Sequence, residues 1–399
     1  MPPPIPAFGA YGIELEYMIV ARDTLDVAPL GETFLDAMPP RADRDGVAIG
    51  WSNEIVSHVA EIKNVDPVRD LARLCAPFQQ AVREANRVLA ASNARLLPTG
   101  MHPWMDPVRE SVLWTRSDAD IYAAYDRIFD CRRHGWANVQ SMHVNLPFAD
   151  DAQFARLLAA IRLVLPIIPA LAASSPLVDG AVAAERDHRL AVYATHAQRF
   201  PCIVGAVVPE ACASRSAYER DVLAPMYDAV AAVDPAGVLR HEWLNARGAI
   251  ARFDRNAIEI RLADTQECPR ADIAVAHAIC AVVRMVYDAH DSRELATERL
   301  AALLREGIRD GEDAIADEDY VAALRLDGVG ACRMRDVWRH VLDRADDGGE
   351  WRDTVEIILE RGTLATRIVE ATGRAPSRDR LREVYGELAR CLDEDRMFC

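Results

Sequence analysis

Gly12-Ile13-Glu14-Leu15-Glu16-Tyr17 sets two carboxylates two residues apart among apolar neighbours. A β-strand has a side-chain period of two, so Glu14 and Glu16 share one face while Ile13, Leu15 and Tyr17 share the other. Like charges on one strand face repel, so a positive partner is expected, and a hard divalent cation is the usual one. The pattern returns twice. Met142-His143-Val144-Asn145-Leu146 puts His143 and Asn145 on one face, and Ile258-Glu259-Ile260-Arg261-Leu262 does the same with Glu259 and Arg261. One such strand reads as half-exposed and solvated, whereas three with complementary chemistry point to a shared site. Strands polar on one face and apolar on the other belong to antiparallel sheets, because buried parallel strands are apolar on both. The expected fold class is therefore α+β, with an antiparallel sheet whose polar face holds the site.

A fourth segment, 51–62, supplies Glu54 and Glu61. Their odd spacing would put them on opposite faces of one regular strand, so both reach one site only if a bulge or turn intervenes near Ser57-His58. Glu14, Glu16, Glu54, Glu61, Glu259 and His143 then form a set of oxygen donors plus one imidazole, suited to about two or three Mg2+ or Mn2+ ions. No cysteine or second histidine is spaced for zinc. Arg247, Arg252 and Arg255 precede the last of these strands and Arg261 lies on it. Arginine is suited to bidentate contact with phosphoryl oxygens.

Composition narrows the function. The chain has 399 residues, 51% hydrophobic and 27% charged, a globular composition with room for more than one average domain. A net charge of −16 argues against nucleic acid or anionic membranes as general partners. Of the 46 basic residues only Lys63 is a lysine. It stands in Glu61-Ile62-Lys63-Asn64, so there is no P-loop and no protein-kinase lysine. No Gly-x-Gly-x-x-Gly follows a strand either. Any nucleotide phosphates must be met by arginines and metal ions. Nine scattered cysteines without a Cys-x-x-Cys pair, and a proline-rich start at 1–6 unlike a secretory signal, lead to an expectation of reduced thiols and a cytoplasmic location. The most apolar run, 157–173, carries Arg162, Pro166 and Pro169 and reads as a kinked buried helix rather than a membrane span.

Along the chain, Asp66-Pro67 reads as the N-cap and first position of a helix with apolar spacing from Leu71 to Leu89. Residues 96–103 read as a strand running into a loop. Further helices are expected at 122–131, 152–173, 218–233 and 271–289. Beyond 290 the pattern is helical, at 292–308, 351–372 and 378–392, with a turn at Asp346-Asp347-Gly348-Gly349. The division expected is a catalytic region over 1–290 and a helical region over 291–399 packed on the same domain.

Taken together, these segments resemble glutamate–cysteine ligase family 2, the bacterial carboxylate–amine ligases with a glutamine synthetase-like fold. The similarity runs from about residue 9 to 392. It is carried by Gly12-Ile13-Glu14-Leu15-Glu16-Tyr17, the 54–61 stretch and Leu97-Pro98-Thr99-Gly100-Met101-His102-Pro103. It continues through Met142-His143-Val144-Asn145, Glu259-Ile260-Arg261-Leu262-Ala263-Asp264-Thr265-Gln266 and Arg361-Gly362-Thr363-Leu364-Ala365. The resemblance implies a curved antiparallel sheet around an ATP and metal site. By analogy with glutamine synthetase, Glu16, Glu54 and Glu61 would hold one Mg2+ or Mn2+, and Glu14, His143 and Glu259 another. Arg261 would contact the transferred phosphoryl group and Arg247 a further phosphate or carboxylate. Asn145, Arg252 and Arg261 are the candidate contacts to ATP. Asn145 stands where glutamine synthetases carry a second histidine, and Lys63 where a small polar residue is more usual.

The implied activity is ATP-dependent joining of a carboxylate to an amine through an acyl phosphate, with glutamate and cysteine as candidate substrates and a homo-oligomer as the expected assembly. Two alternatives are a guanidino-kinase-like phosphotransferase on the same fold class and a non-catalytic ligand-binding relative. Unused clustered carboxylates would be costly, which counts against the latter.

Overall fold

Strand β1 (Gly12–Ala21) is the axis of the molecule. The computed structural model describes residues 4–39, 41–289, 293–345 and 348–399. Around β1 lie β2 (Arg41–Arg44), β3 (Val47–Asn53), β4 (Val59–Asn64), β5 (Ala94–Leu97), β6 (Ser141–Pro147), β7 (Ala249–Arg252) and β8 (Ala257–Asp264). They form one sheet in the order β2-β3-β4-β1-β6-β8-β7, with β5 also paired to β1. Every pairing in it is antiparallel. The fold class is α+β, as the one-sided strands required.

Helices cover the apolar face. Ile13, Leu15, Tyr17 and Ile19 of β1 join Ile62 and Val144 in a core shared with α1 (Cys75–Leu89), α3 (Asp151–Val164) and α4 (Pro269–Asp288). A fully buried Leu, Ile or Val stabilises by roughly 1.5–3 kcal/mol, so this layer is the main hold on the register. The opposite face of β1 changes character along its length. Glu14 and Glu16 face a cavity, whereas Met18 and Val20 join a second apolar cluster with Val59 and Leu97. That cluster is closed by α8 (Leu364–Thr372) and α9 (Arg378–Glu394), through residues such as Ile368 and Leu388. Between these, α2 (Ala119–Phe129) lies beside the cavity, and α5 (Thr297–Asp310), α6 (Met334–Ala345) and α7 (Trp351–Arg361) build the remaining helical layer.

Several expected elements are redrawn. The cap before α1 is Asp70, whose carboxylate accepts from Ala72 N at 3.0 Å at the start of a 3-10 turn, Leu71–Leu74. Asp66 instead pairs with Arg41, and Val68 bridges to Tyr11, so the stretch after Pro67 is extended. The run 152–173 breaks at Pro166 into α3, a 3-10 turn and a short helix, Pro169–Ala172. The run 218–233 carries a π-turn at Glu219–Leu223, just before Pro225, which has no N–H to donate. The run 351–372 is two helices, parted at Gly362, whose φ of +90° favours glycine. Asp346, Asp347 and Ser292 of the expected turn and helix lie outside the described residues. No helix among the described residues is long and apolar enough to cross a membrane.

Candidate active site

Antiparallel register gathers the acidic residues. Glu14 lies opposite His143 on β6 and opposite Lys63 on β4, and Glu16 lies opposite Glu61. Directly opposed residues share a face, so one row of the sheet carries Lys63, Glu14 and His143 and the next carries Glu61 and Glu16. Glu54 reaches them because β3 and β4 form a hairpin whose turn includes Ser57 and His58. A β-bulge adds one residue to β8 between Ile260 and Ala263, at the level of Met142 and Val144. Bulges re-aim side chains, and Arg261 sits within this one, facing the cavity beside Glu259.

The cavity is about 490 Å³. Glu14, Glu16, Glu54, Glu61, His143 and Glu259 form its acidic floor, with Arg252 and Arg261 at one side. Among the described residues two groups offer ligand atoms all within 4.8 Å of one another: Glu16, Glu54 and Glu61, and Glu14, Glu61 and His143. In the second group Glu61 stands where the resemblance implied Glu259. Glu259 is drawn instead to Arg261 and to Arg252, whose Nη1 lies 3.1 Å from Oε2.

The donor chemistry suits hard cations, being oxygen-rich with one imidazole. Two further features fit that use. His143 Nδ1 is buried without a hydrogen bond, 3.5 Å from Glu14 Oε2 and 3.7 Å from Glu259 Oε1. Its other nitrogen is engaged: Nε2 lies 2.9 Å from Ser141 Oγ, which donates to Glu16 Oε2 at 3.0 Å. The floor is also electrostatically strained. Burial, reinforced by the neighbouring charges of Glu16 and Glu61, pushes Glu54 well above the usual carboxylate range. Burial and the charge of Glu14 push Glu61 up to about 7. Glu14 goes the other way. Burial would raise it, but the charges of His143 and Lys63 hold it well below. Glu259 is likewise lowered: burial opposes the shift, and Arg261 and His143 outweigh it.

A wall of rings faces the floor. Tyr122 and Tyr125 come from α2, Tyr193 and His196 from the end of helix His188–Tyr193 and the turn after it, Trp136 from the short helix His134–Ala137 and Trp243 from the 3-10 turn Glu242–Leu244. Trp136 and His196 meet edge to face at 4.5 Å, and Tyr125 lies 5.7 Å from Trp243. Half-buried aromatics around a concave site favour a small organic ligand. They are dispersed over more than a hundred residues with no common spacing, so no linear pattern marks them. Lys63 was visible as the lone lysine, but its place on the floor, with Nζ donating to Glu61 Oε1 at 2.6 Å, follows only from register.

Two expected contacts lie elsewhere. Arg247 does not line the cavity. The residue is 3% exposed, and its guanidinium is clamped by Glu210 at 2.6 and 2.8 Å, with Nη1 donating to the carbonyl of Cys202 at 3.1 Å. These bonds tie the loop before β7 to Glu210 and Cys202. Asn145 also lies outside the cavity, donating to Glu14 Oε1 at 3.1 Å and lining a second space of about 480 Å³ on the far side of Glu14.

Two quoted motifs are framework. Asp264 accepts from Ser174 N and Ser175 Oγ, both at 2.7 Å, and pairs with buried Arg189. A Cβ on Gly100 would fall 2.4 Å from Asp264 Cγ, so Leu97-Pro98-Thr99-Gly100 must keep its glycine to pass β8. In Arg361-Gly362-Thr363-Leu364-Ala365, Thr363 caps α8 and donates to Glu312 Oε2 at 3.0 Å, away from the cavity.

Comparison with known proteins gives this arrangement a place. The family model of glutamate–cysteine ligase family 2 matches residues 10–388. The chain belongs to that family. It therefore stands among the carboxylate–amine ligases. An uncharacterized protein of Archaeoglobus fulgidus is 31% identical over 353 residues, 88% of this chain and 89% of that one. A protein of Salinispora arenicola, provisionally named glutamate–cysteine ligase 2, is 27% identical over 375 residues, 89% of this chain and 88% of that one. Among solved structures, the ligase PafA in complex with prokaryotic ubiquitin-like protein Pup aligns over 97% of this chain and 67% of that one, at 12% identity and a TM-score of 0.42.

Proposed function

We propose that the cavity joins a carboxylate to an amine at the expense of ATP through an acyl phosphate, with glutamate and cysteine the first substrates to test. The observation that carries this reading is the acidic floor with Arg261 beside it, in a chain of a carboxylate–amine ligase family. A substrate carboxylate oxygen attacks the γ-phosphorus and ADP leaves. The amine nitrogen then attacks the acyl carbon, the carbon–oxygen bond breaks, and phosphate departs with that oxygen and takes up the proton the amine loses. Arg261, and Arg252 next to it, supply fixed positive charge for the transferred phosphoryl group. Glu16, Glu54 and Glu61, with Glu14 and His143, are the residues to hold Mg2+ or Mn2+, and a bound ion would neutralise phosphate oxygens. Glu259 orients the two arginines until phosphate takes them over. The aromatic wall covers the organic part of a substrate and excludes water, which protects an acyl phosphate from hydrolysis.

The test is an ADP-release assay with Mg2+ that crosses amino acids against amines, cysteine included. A ligase releases ADP only when both partners are present and yields an amide. ADP release with a phosphorylated acceptor and no amide would instead establish a phosphotransferase.

A further inference from the structure

The two ligand groups on the floor are not equal, and Lys63 makes them differ. Glu61 belongs to both groups, so two ions would have to share it, each taking one carboxylate oxygen. Its Oε1 is already occupied, accepting from Lys63 Nζ at 2.6 Å and from Ser52 Oγ at 2.5 Å. One oxygen remains. Around Glu14 positive charge is also in place: Lys63 is its register partner on β4, and Arg255 Nη1 lies 3.6 Å from Oε1, which also accepts from Asn145. Glu16 differs. Its Oε2 is held by the backbone N and hydroxyl of Ser141, which leaves Oε1 open. Among the described residues Glu54 has no close ion pair, and the charge of Lys63 bears on it less than on Glu14.

We infer that Lys63 is a tethered cation standing in for an ion on the Glu14 side. Without nucleotide the protein then holds one divalent ion, on Glu16, Glu54 and Glu61. This rests on the metal-dependent reading of the floor given above, but it concerns binding and not turnover. Lys63 lines both the catalytic cavity and the second space behind Glu14. Its charge therefore stands where a further ion would have to sit to use Glu14, the second oxygen of Glu61 and the unbonded Nδ1 of His143.

The experiment is Mn2+ titration of the full chain without ATP or substrates, followed by electron paramagnetic resonance of free Mn2+ and by calorimetry. The wild type is expected to bind one ion. Lys63→Met, which keeps the length of the side chain and removes the charge, is expected to bind two. The gain at the second position should be about tenfold or more in affinity, the scale of one charge contact near 4 Å at a protein surface. Lys63→Arg should stay at one ion, which separates charge from any disturbance of β4. Glu54→Gln should lose the wild-type ion. Two equal ions on the wild type, or one ion on a folded Lys63→Met protein, would overturn the inference. Because no substrate is present, the stoichiometry is independent of whether an amide is ever made.

Discussion

Two buried acidic clusters lie on the same sheet and have opposite chemistry. At the end of β8, Asp264 is enclosed by Arg189, two serines and a backbone N–H, and Arg189 also donates to Leu262 O at 2.7 Å. On β1, β4 and the turn after β3, Glu16, Glu54 and Glu61 meet; Lys63 pairs with Glu61 alone, and among the described residues no arginine pairs with any of the three. The first cluster is complete within the protein and fixes the strand. The second has one cation for three carboxylates, and that deficit is the physical content of a binding site. Burial of carboxylates alone does not separate structure from function; the supply of partners does.

The largest expected effect is on the complete cluster. Arg189→Met strands the Asp264 charge in the core and should lower unfolding free energy by about 3–5 kcal/mol, read from the denaturant midpoint. A loss under about 1 kcal/mol would break the comparison. Next comes the incomplete cluster. Glu54→Gln should abolish amide formation while leaving the metal-free melting temperature unchanged or higher, because a neutral amide replaces a buried carboxyl crowded by two others. A fall in that temperature comparable to the Arg189 variant's would mean that both clusters are structural.

A third test uses histidines of the framework. His58 donates to Ala137 O and His102 to Leu25 O, both at 2.7 Å, and burial lowers each to about 4 from its ordinary 6.5. The unfolded chain takes up these protons at higher pH than the folded one. Their contribution is therefore whole above pH 6.5 and is lost as pH falls towards 4. Stability should decline across that window, and His58→Gln should flatten the decline. A pH-independent midpoint between 6.5 and 4 would contradict the burial of neutral rings. The smallest effect is expected at the surface. Asp66→Ala breaks an exposed pair with Arg41 and should change stability by less than about 1 kcal/mol.

The difference between the clusters also explains what the sequence could tell. Alternation with period two is written in the chain, so Glu14, Glu16, His143, Glu259 and Arg261 could be placed on one face of a sheet, and the odd Glu54 to Glu61 spacing demanded the turn that β3 and β4 provide. Partners are not written there. Nothing local to Arg247 foretells that Glu210 clamps it, and nothing local to Arg189 ties it to Asp264. Asp66-Pro67 had the residues of a helix start, but pairing of Val68 with Tyr11 prevailed over local propensity. The aromatic wall is assembled from separate loops and helices, and so becomes visible only once the chain is folded.

The most direct measurement follows the oxygen. A substrate carboxylate labelled with 18O is supplied with its amine partner and ATP, and the released phosphate is analysed by mass spectrometry. Attack of the carboxylate on the γ-phosphorus predicts one labelled oxygen in each phosphate formed with the amide. Amide formation with unlabelled phosphate would contradict an acyl phosphate and the role given to the acidic floor.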